Sequence, residues 1–205
     1  MKKFFLIFGI SILFLFFWIG KSYNNLVKLN EEVKVQWAQV ENSFQRRADL
    51  IPNLVNIVKG VSNFEKNTLI KIVEARSKAT SLNIDANILK QEQIDNFQKI
   101  QNNLSNKLSR LLISIEKYPN LKSTQNFSDF QSQIEGTENR ISIERNRFNK
   151  KVNFFNIYRC KFPNFLIANF FSKFNEKGYF KSNIFNEKPP IINFENYFIF
   201  PYIIL

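Results

Sequence analysis

Between Phe4 and Gly20 the chain carries no charge; Phe, Ile and Leu dominate, and Ser11 is the one polar side chain. As a helix rising about 1.5 Å per residue, residues 4–20 reach roughly 25 Å, within the range that crosses a hydrocarbon core of about 30 Å. Lys2, Lys3 and Lys21 flank the run, and Trp18 and Tyr23 suit the membrane interface. A cleaved leader needs small residues ahead of its cut, whereas Phe16 to Gly20 offers bulky ones, and no cysteine follows for lipidation. The run reads as an uncleaved anchor that holds membrane lipid through residues 4–20.

From Leu26 the pattern becomes amphipathic. Leu26, Leu29, Val33, Trp37, Val40, Phe44, Ala48, Ile51, Val55 and Val58 recur at helical spacing, with Asn30, Glu31, Lys34, Glu41 and Arg46 assigned to the opposite face. Pro52 lies inside this pattern and predicts a kink, or a break and restart. Gly60 with Ser62 predicts a stop with a left-handed glycine cap. A second helix is expected from about Phe64 to Ala79. After a break over Ser81 to Ala86, Asp85 is expected to cap a third, which runs to about Lys117 with Ile94, Phe97, Gln101, Leu104, Leu108, Leu111 and Ile115 as its stripe. Tyr118-Pro119-Asn120 closes it. The last long helix is predicted over Ser123 to Tyr158. Its inner seam is Phe127, Phe130, Ile134, Thr137, Ile141, Glu144, Phe148, Val152 and Phe155, and the two polar members need hydrogen-bond partners there.

After Pro163 the period decays. Residues 161–194 read as an irregular basic segment packing on the bundle, and residues 195–205 as an apolar extension too short to span a membrane. The organisation is therefore an anchor over 1–21, a bundle over 22–160 and those two tail segments. The fold class is all-α: one transmembrane helix followed by an antiparallel bundle of three or four long helices.

Composition narrows the chemistry. Histidine is absent, which removes the usual imidazole base and the commonest transition-metal ligand. A single cysteine, Cys160, rules out an internal disulfide; at a helix end it reads as a packed residue, with a reactive thiol beside Arg159 and Lys161 as the alternative. The net charge is +12. Abundant Lys, Asn, Ile and Phe, the products of A- and T-rich codons, account for much of it; a phosphate-bearing partner is the competing source. Lys2 and Lys3 ahead of the span weakly place the N-terminus in the cytoplasm.

Several blocks in order carry a resemblance: Tyr23-Asn24-Asn25-Leu26-Val27; Val33, Trp37, Val40 and Glu41; Gln45 through Val55; Glu74 through Ala79; Glu116 through Lys122; Glu135 through Ile141; Arg145 through Asn149; Phe162-Pro163; and Pro189 through Phe194. Over about residues 4–194 the chain resembles the LemA family. The resemblance implies a single-pass protein of the bacterial cell membrane with a long-helix bundle, no assigned molecular function, and no catalytic residues to carry over. It also implies a short N-terminus outside, opposite to the lysine-based reading. The chain departs from the family in its 195–205 extension and in a middle helix rich in Asn and Lys where the family tends toward Ala.

The densest polar constellation is Asn42, Arg46, Arg47, Asp49 and Asn53 on the first helix and Glu135, Glu138, Asn139, Arg140, Glu144, Arg145 and Asn149 on the last. Arg46, Asp49, Asn53, Glu135, Glu138 and Arg145 are the candidate buried network, read as a device that fixes helix register. A carboxylate metal site would ask for histidines the chain lacks, and no cofactor or nucleic-acid partner is expected. The sequence thus points to a non-enzymatic membrane-anchored scaffold with a protein partner. The alternatives are an enzyme or binding protein built on Glu135, Glu138 and Arg145, and an anionic-lipid binder acting through the basic C-terminal segment.

Overall fold

The computed structural model describes residues 2–60 and 65–181. Among these residues six α-helices follow in order: α1 (Lys2–Lys59), α2 (Lys66–Thr80), α3 (Gln91–Ile115), α4 (Pro119–Lys122), α5 (Gln125–Cys160) and α6 (Asn164–Phe170), with a 3-10 turn at Ser172–Phe174. The chain is all-α as expected, with no strand among the described residues. Ser62, Phe64, the block Pro189 through Phe194 and the 195–205 extension lie outside the described residues.

The framework is α1 against α5. Partners descend along α5 as they climb α1: Asn25 with Tyr158 at 3.2 Å, Glu32 with Lys151 at 2.9 Å, Gln36 with Glu144 at 2.7 Å and Arg47 with Glu138 at 2.9 Å. The pair is therefore antiparallel. Every residue of the predicted α5 seam is buried, Thr137 and Glu144 included. Thr137 donates its hydroxyl to the Gln133 carbonyl at 2.7 Å, and Glu144 accepts from Gln36 and Arg147. Thr124 accepts from the Phe127 amide at 3.3 Å, a side-chain N-cap that starts α5.

Two apolar cores fill the bundle. One, beside the N-terminal run, gathers Leu26, Val33, Trp37, Phe44, Phe97, Phe148, Val152, Phe155 and Phe180. The other, at the far end, gathers Ile51, Leu54, Val58, Ile72, Leu104, Leu111, Phe127 and Phe130. Trp37 centres the first, its ring 5.2 Å from Phe97 and 5.4 Å from Phe148, both edge-on.

Several local expectations need correcting: Leu54, not Val55, takes the inward place on α1, and the segment expected to be irregular after residue 161 contains α6. Asn30 is buried, because the inward face turns through it while Leu29 lies half-buried. No glycine has a positive φ, so Gly60 ends α1 without a left-handed cap. Asp85 does not cap α3: its carboxylate accepts from the Asn87 amide at 2.8 Å and closes a turn, and α3 begins later at Gln91. Nor does the chain break and restart at Pro52, since α1 runs through it. Proline lacks the N–H that would bond the carbonyl of Ala48, four residues back. Arg76 on α2 supplies the missing donor, its Nε 2.8 Å from the Ala48 oxygen. Arg76→Met should therefore cost about 1 kcal/mol. In a Pro52→Ala background the restored backbone amide can donate instead, and a double-mutant cycle on urea midpoints should find the Arg76 penalty reduced. An unchanged penalty contradicts this.

The buried residues of α2, Ile72, Ala75 and Ala79, all belong to the far core. Beside the near core, between α3 and α5, residues 175–181 form a non-helical strap. Asn156 donates to the Lys177 carbonyl at 2.9 Å and accepts its amide at 3.1 Å. Gln91 does the same for Tyr179, Asn149 for Phe180 and Gln98 for Lys181. The Gly178 amide bonds the Leu89 carbonyl at 2.8 Å. Each side-chain amide thus acts like a neighbouring strand, satisfying donor and acceptor of one strap residue. Gly178 is required by closeness rather than by φ: a Cβ there would lie 2.6 Å from Gln91 Cα.

Lys177 is buried beneath this strap, its ammonium donating to the Asn87 carbonyl at 2.7 Å. Burial, and then the charge of Lys34, push it down to about 8 from the ordinary 10.5, against weaker opposing pulls from Asp85 and Glu31. The unfolded chain therefore binds more protons than the folded one between about pH 8 and 10.5, so stability should rise with pH across that window. Urea titrations at about pH 7.5 and about pH 10 should detect the rise in the parent and lose it in Lys177→Met. A fall in the parent would contradict the sign.

Candidate functional site

A polar layer separates the two cores. Arg47 lies at its centre, 1% exposed. It falls on the inward face because Phe44, Arg47, Ile51 and Leu54 follow one another at steps of three and four. Its Nη1 donates to Glu138 Oε1 on α5 at 2.9 Å and to the Ser105 hydroxyl on α3. Its Nη2 donates to the Gln101 carbonyl at 3.1 Å and to Gln101 Oε1 at 2.7 Å. The Gln101 amide in turn donates to the Ala79 carbonyl at 3.2 Å, in the last turn of α2. One guanidinium thereby ties together α1, α3 and α5, and through Gln101 also α2.

Burial lowers the Arg47 pKa, and the charge and hydrogen bond of Glu138 partly restore it. The Nε of Arg47 is buried without a partner among the described residues, while the Phe44 ring stacks 5.1 Å from the guanidinium carbon. Glu138 is the more accessible partner, its side chain 42% exposed. It opens onto a cleft of about 470 Å³ lined by Phe44, Arg47, Ser105, Leu112, Glu138 and Arg145.

Of the six candidate network residues, Glu138 and Arg145 reach this cleft; Arg47, part of the wider constellation but left out of the network, reaches it too. Arg145 is already engaged: it donates to the Lys181 carbonyl at 2.7 Å and covers the Phe180 ring at 5.1 Å. Burial lowers its pKa as well, opposed by the charge of Glu138. Arg46 and Asn53 are exposed on the outer face of α1. Asp49 is exposed too, accepting from Gln45 at 2.8 Å with Arg76 3.9 Å away. Glu135 is exposed and accepts from Gln131 at 3.0 Å. The arginine at the centre is Arg47, next in sequence to the Arg46 chosen. A strict alternation of three and four from Val33 through Trp37, Val40, Phe44, Arg47, Ile51, Leu54 and Val58 would have found it. Cys160 is exposed at the last turn of α5 rather than packed. Among the described residues, no three carboxylate or thiol side chains gather closely enough to hold a metal ion.

Over 159 residues, covering 76% of this chain and 68% of the relative, the chain is 26% identical to a protein named LemA from Metamycoplasma hominis. Two magnetosome proteins of Paramagnetospirillum magneticum, MamQ 1 and MamQ 2, are each 23% identical over 186 residues, 82% of this chain and 68% of theirs. The family model described as LemA matches residues 36–194, which is most of the bundle and the strap. The chain belongs to the LemA family.

Proposed function

We propose that the chain is a non-enzymatic, membrane-anchored scaffold: residues 4–20 cross the bilayer, and the bundle stands off the surface to present its faces to a protein partner. The observation that carries this reading is the continuity of α1. The same unbroken helix, roughly 87 Å long at 1.5 Å per residue, contributes the solvent-exposed apolar run and the central strut of both cores. Among the described residues, one helix near the N-terminus is long and apolar enough to cross a membrane, and its side chains from Phe4 to Phe17 are exposed. In this reading the Arg47 layer fixes the register of the helices around that strut.

Membrane extraction tests the anchor. The full chain should resist high salt and alkaline carbonate and leave the pellet only with detergent; release by carbonate overturns the anchor. Photo-crosslinkers on exposed faces of α5, at Ser132 and Arg140, should give a discrete adduct in intact cells; no adduct at either position counts against the scaffold.

The cleft favours a second reading, in which Glu138 and Arg145, with Glu135 exposed three residues before Glu138 on the same helix, bind or turn over a ligand. It predicts that Glu138→Gln abolishes the cellular phenotype of the protein while thermal stability is kept. The scaffold reading predicts that Glu138→Gln keeps the phenotype and lowers stability measurably, though by less than the loss of Arg47, since Glu138 is paired with Arg47 at the open edge of the layer.

A further inference from the structure

The C-terminal turn of α5, α6 and the 3-10 turn meet α1 where it leaves the apolar run. Ser22 is buried and donates to Asn164 Oδ1 at 2.8 Å, and Lys173 donates to the Tyr23 hydroxyl at 2.6 Å. Trp18, inside the run, packs against the near core. α6 therefore lies alongside Trp18 to Tyr23, within about 3 Å along the axis of the last apolar residue, Gly20.

At that level the fold turns large apolar side chains outward. Phe162 is 81% exposed, Leu166 56% and Phe170 82%, with Phe165 and Phe171 also exposed. The charge there has one sign: from Phe154 to Asn175 there is no acidic residue, while Arg159, Lys161 and Lys173 are basic, and Lys21 stands at the same height. Exposure of this kind marks an interaction surface. An element lying in the headgroup–acyl boundary combines it with such a charge pattern. The run alone, roughly 25 Å as a helix, falls short of a hydrocarbon core of about 30 Å, and a ring of apolar side chains at its end makes up that mismatch.

We propose that residues 162–171 form a collar embedded in the membrane interface. Phe162, Leu166 and Phe170 enter the acyl region, and Lys21, Arg159, Lys161 and Lys173 meet anionic lipid headgroups. The collar holds the bundle at a fixed tilt and height. This rests on the anchor reading above, because the same bilayer serves both.

The test uses the full chain in a Cys160→Ser background, purified and reconstituted alone into vesicles. Nitroxides are placed one at a time through Ile10→Cys, Leu166→Cys, Phe170→Cys and Ser132→Cys. Collision rates with oxygen, which prefers lipid, and with a water-soluble nickel chelate give the depth of each label. Ile10, Leu166 and Phe170 should collide with nickel at least tenfold less than Ser132 on the far half of α5. Adding one part phosphatidylglycerol to three of phosphatidylcholine should lower the nickel rate at Leu166 at least twofold further. If Ile10 is protected while Leu166 and Phe170 match Ser132, the anchor stands and the collar falls; that face would then belong to a protein partner. If Ile10 also matches Ser132, both readings fall. Equal nickel rates in neutral and anionic vesicles overturn the assignment of the basic residues to headgroups.

Discussion

Phe180→Ala is expected to cost about 3–5 kcal/mol, the largest single-residue effect in the bundle. Phe180 is buried between helices, stacked on Trp37 at 5.9 Å and edge-on to Phe148 at 5.5 Å and Phe97 at 6.3 Å. Truncating it removes the fourth ring of this cluster. The helices around the vacancy are pinned by the strap's own amide pairs, so they cannot collapse to fill it. Gly178→Ala reaches the same place through backbone sterics. Its Cβ would meet the Cα and N of Gln91 at 2.6 and 2.8 Å, atoms that move only with the start of α3. Urea unfolding in mild micelles, followed by near-ultraviolet dichroism of Trp37, should find both variants strongly destabilised. A loss below about 1 kcal/mol for Phe180→Ala would mean that the strap is an accessory rather than part of the core.

Arg47→Ala should cost about 3 kcal/mol or more, and Glu138→Ala clearly less. The asymmetry follows from burial. Removing the guanidinium leaves a hole in a buried layer and takes from Gln101 Oε1 its Arg47 donor. Removing Glu138 leaves Arg47 with its Gln101 and Ser105 bonds, at an edge of the layer that water can reach from the cleft. Arg47→Met should fall between them, because an apolar side chain of similar length fills the site without a buried charge. If the layer sets register, that variant should also broaden amide resonances along α3, whose polar tie to α1 in this layer runs through Arg47. The same urea series gives the stabilities, and equal costs for Arg47→Ala and Glu138→Ala would overturn the assignment of Arg47 as the hub.

The long helices were legible because each buries one stripe against a stable partner. The α5 seam from Phe127 to Phe155 is buried at every predicted position, including Thr137 and Glu144, since a helix 36 residues long must turn the same face inward throughout. The first helix was harder where two adjacent residues are both buried. Arg47 and Ala48 share the inward side of α1, and choosing the apolar one hid the charged hub. A rule that charge faces water fails there because Gln101, Ser105 and Glu138 converge from other helices, a tertiary fact with no local signal. The strap was illegible for a related reason. Its backbone is held by side chains, not by a ladder, so no period of two was there to read. The trace it leaves lies on the helices: Gln91 and Gln98, and Asn149 and Asn156, are amide pairs seven residues apart on α3 and α5. Likewise Pro52 reads as a breaker until Arg76 is seen to serve the carbonyl it orphans.

Placement of the bundle at the bilayer depends on α1 being one rigid helix from the apolar run into the cores. Dipolar electron spin resonance measures this directly, with nitroxides at Ile10→Cys and at the exposed Val35→Cys in a Cys160→Ser background, in lipid nanodiscs. A continuous helix places the two backbones about 38 Å apart and predicts a single narrow distance distribution centred near that value. A broad distribution extending to much shorter distances would reveal a hinge between run and bundle and contradict the account.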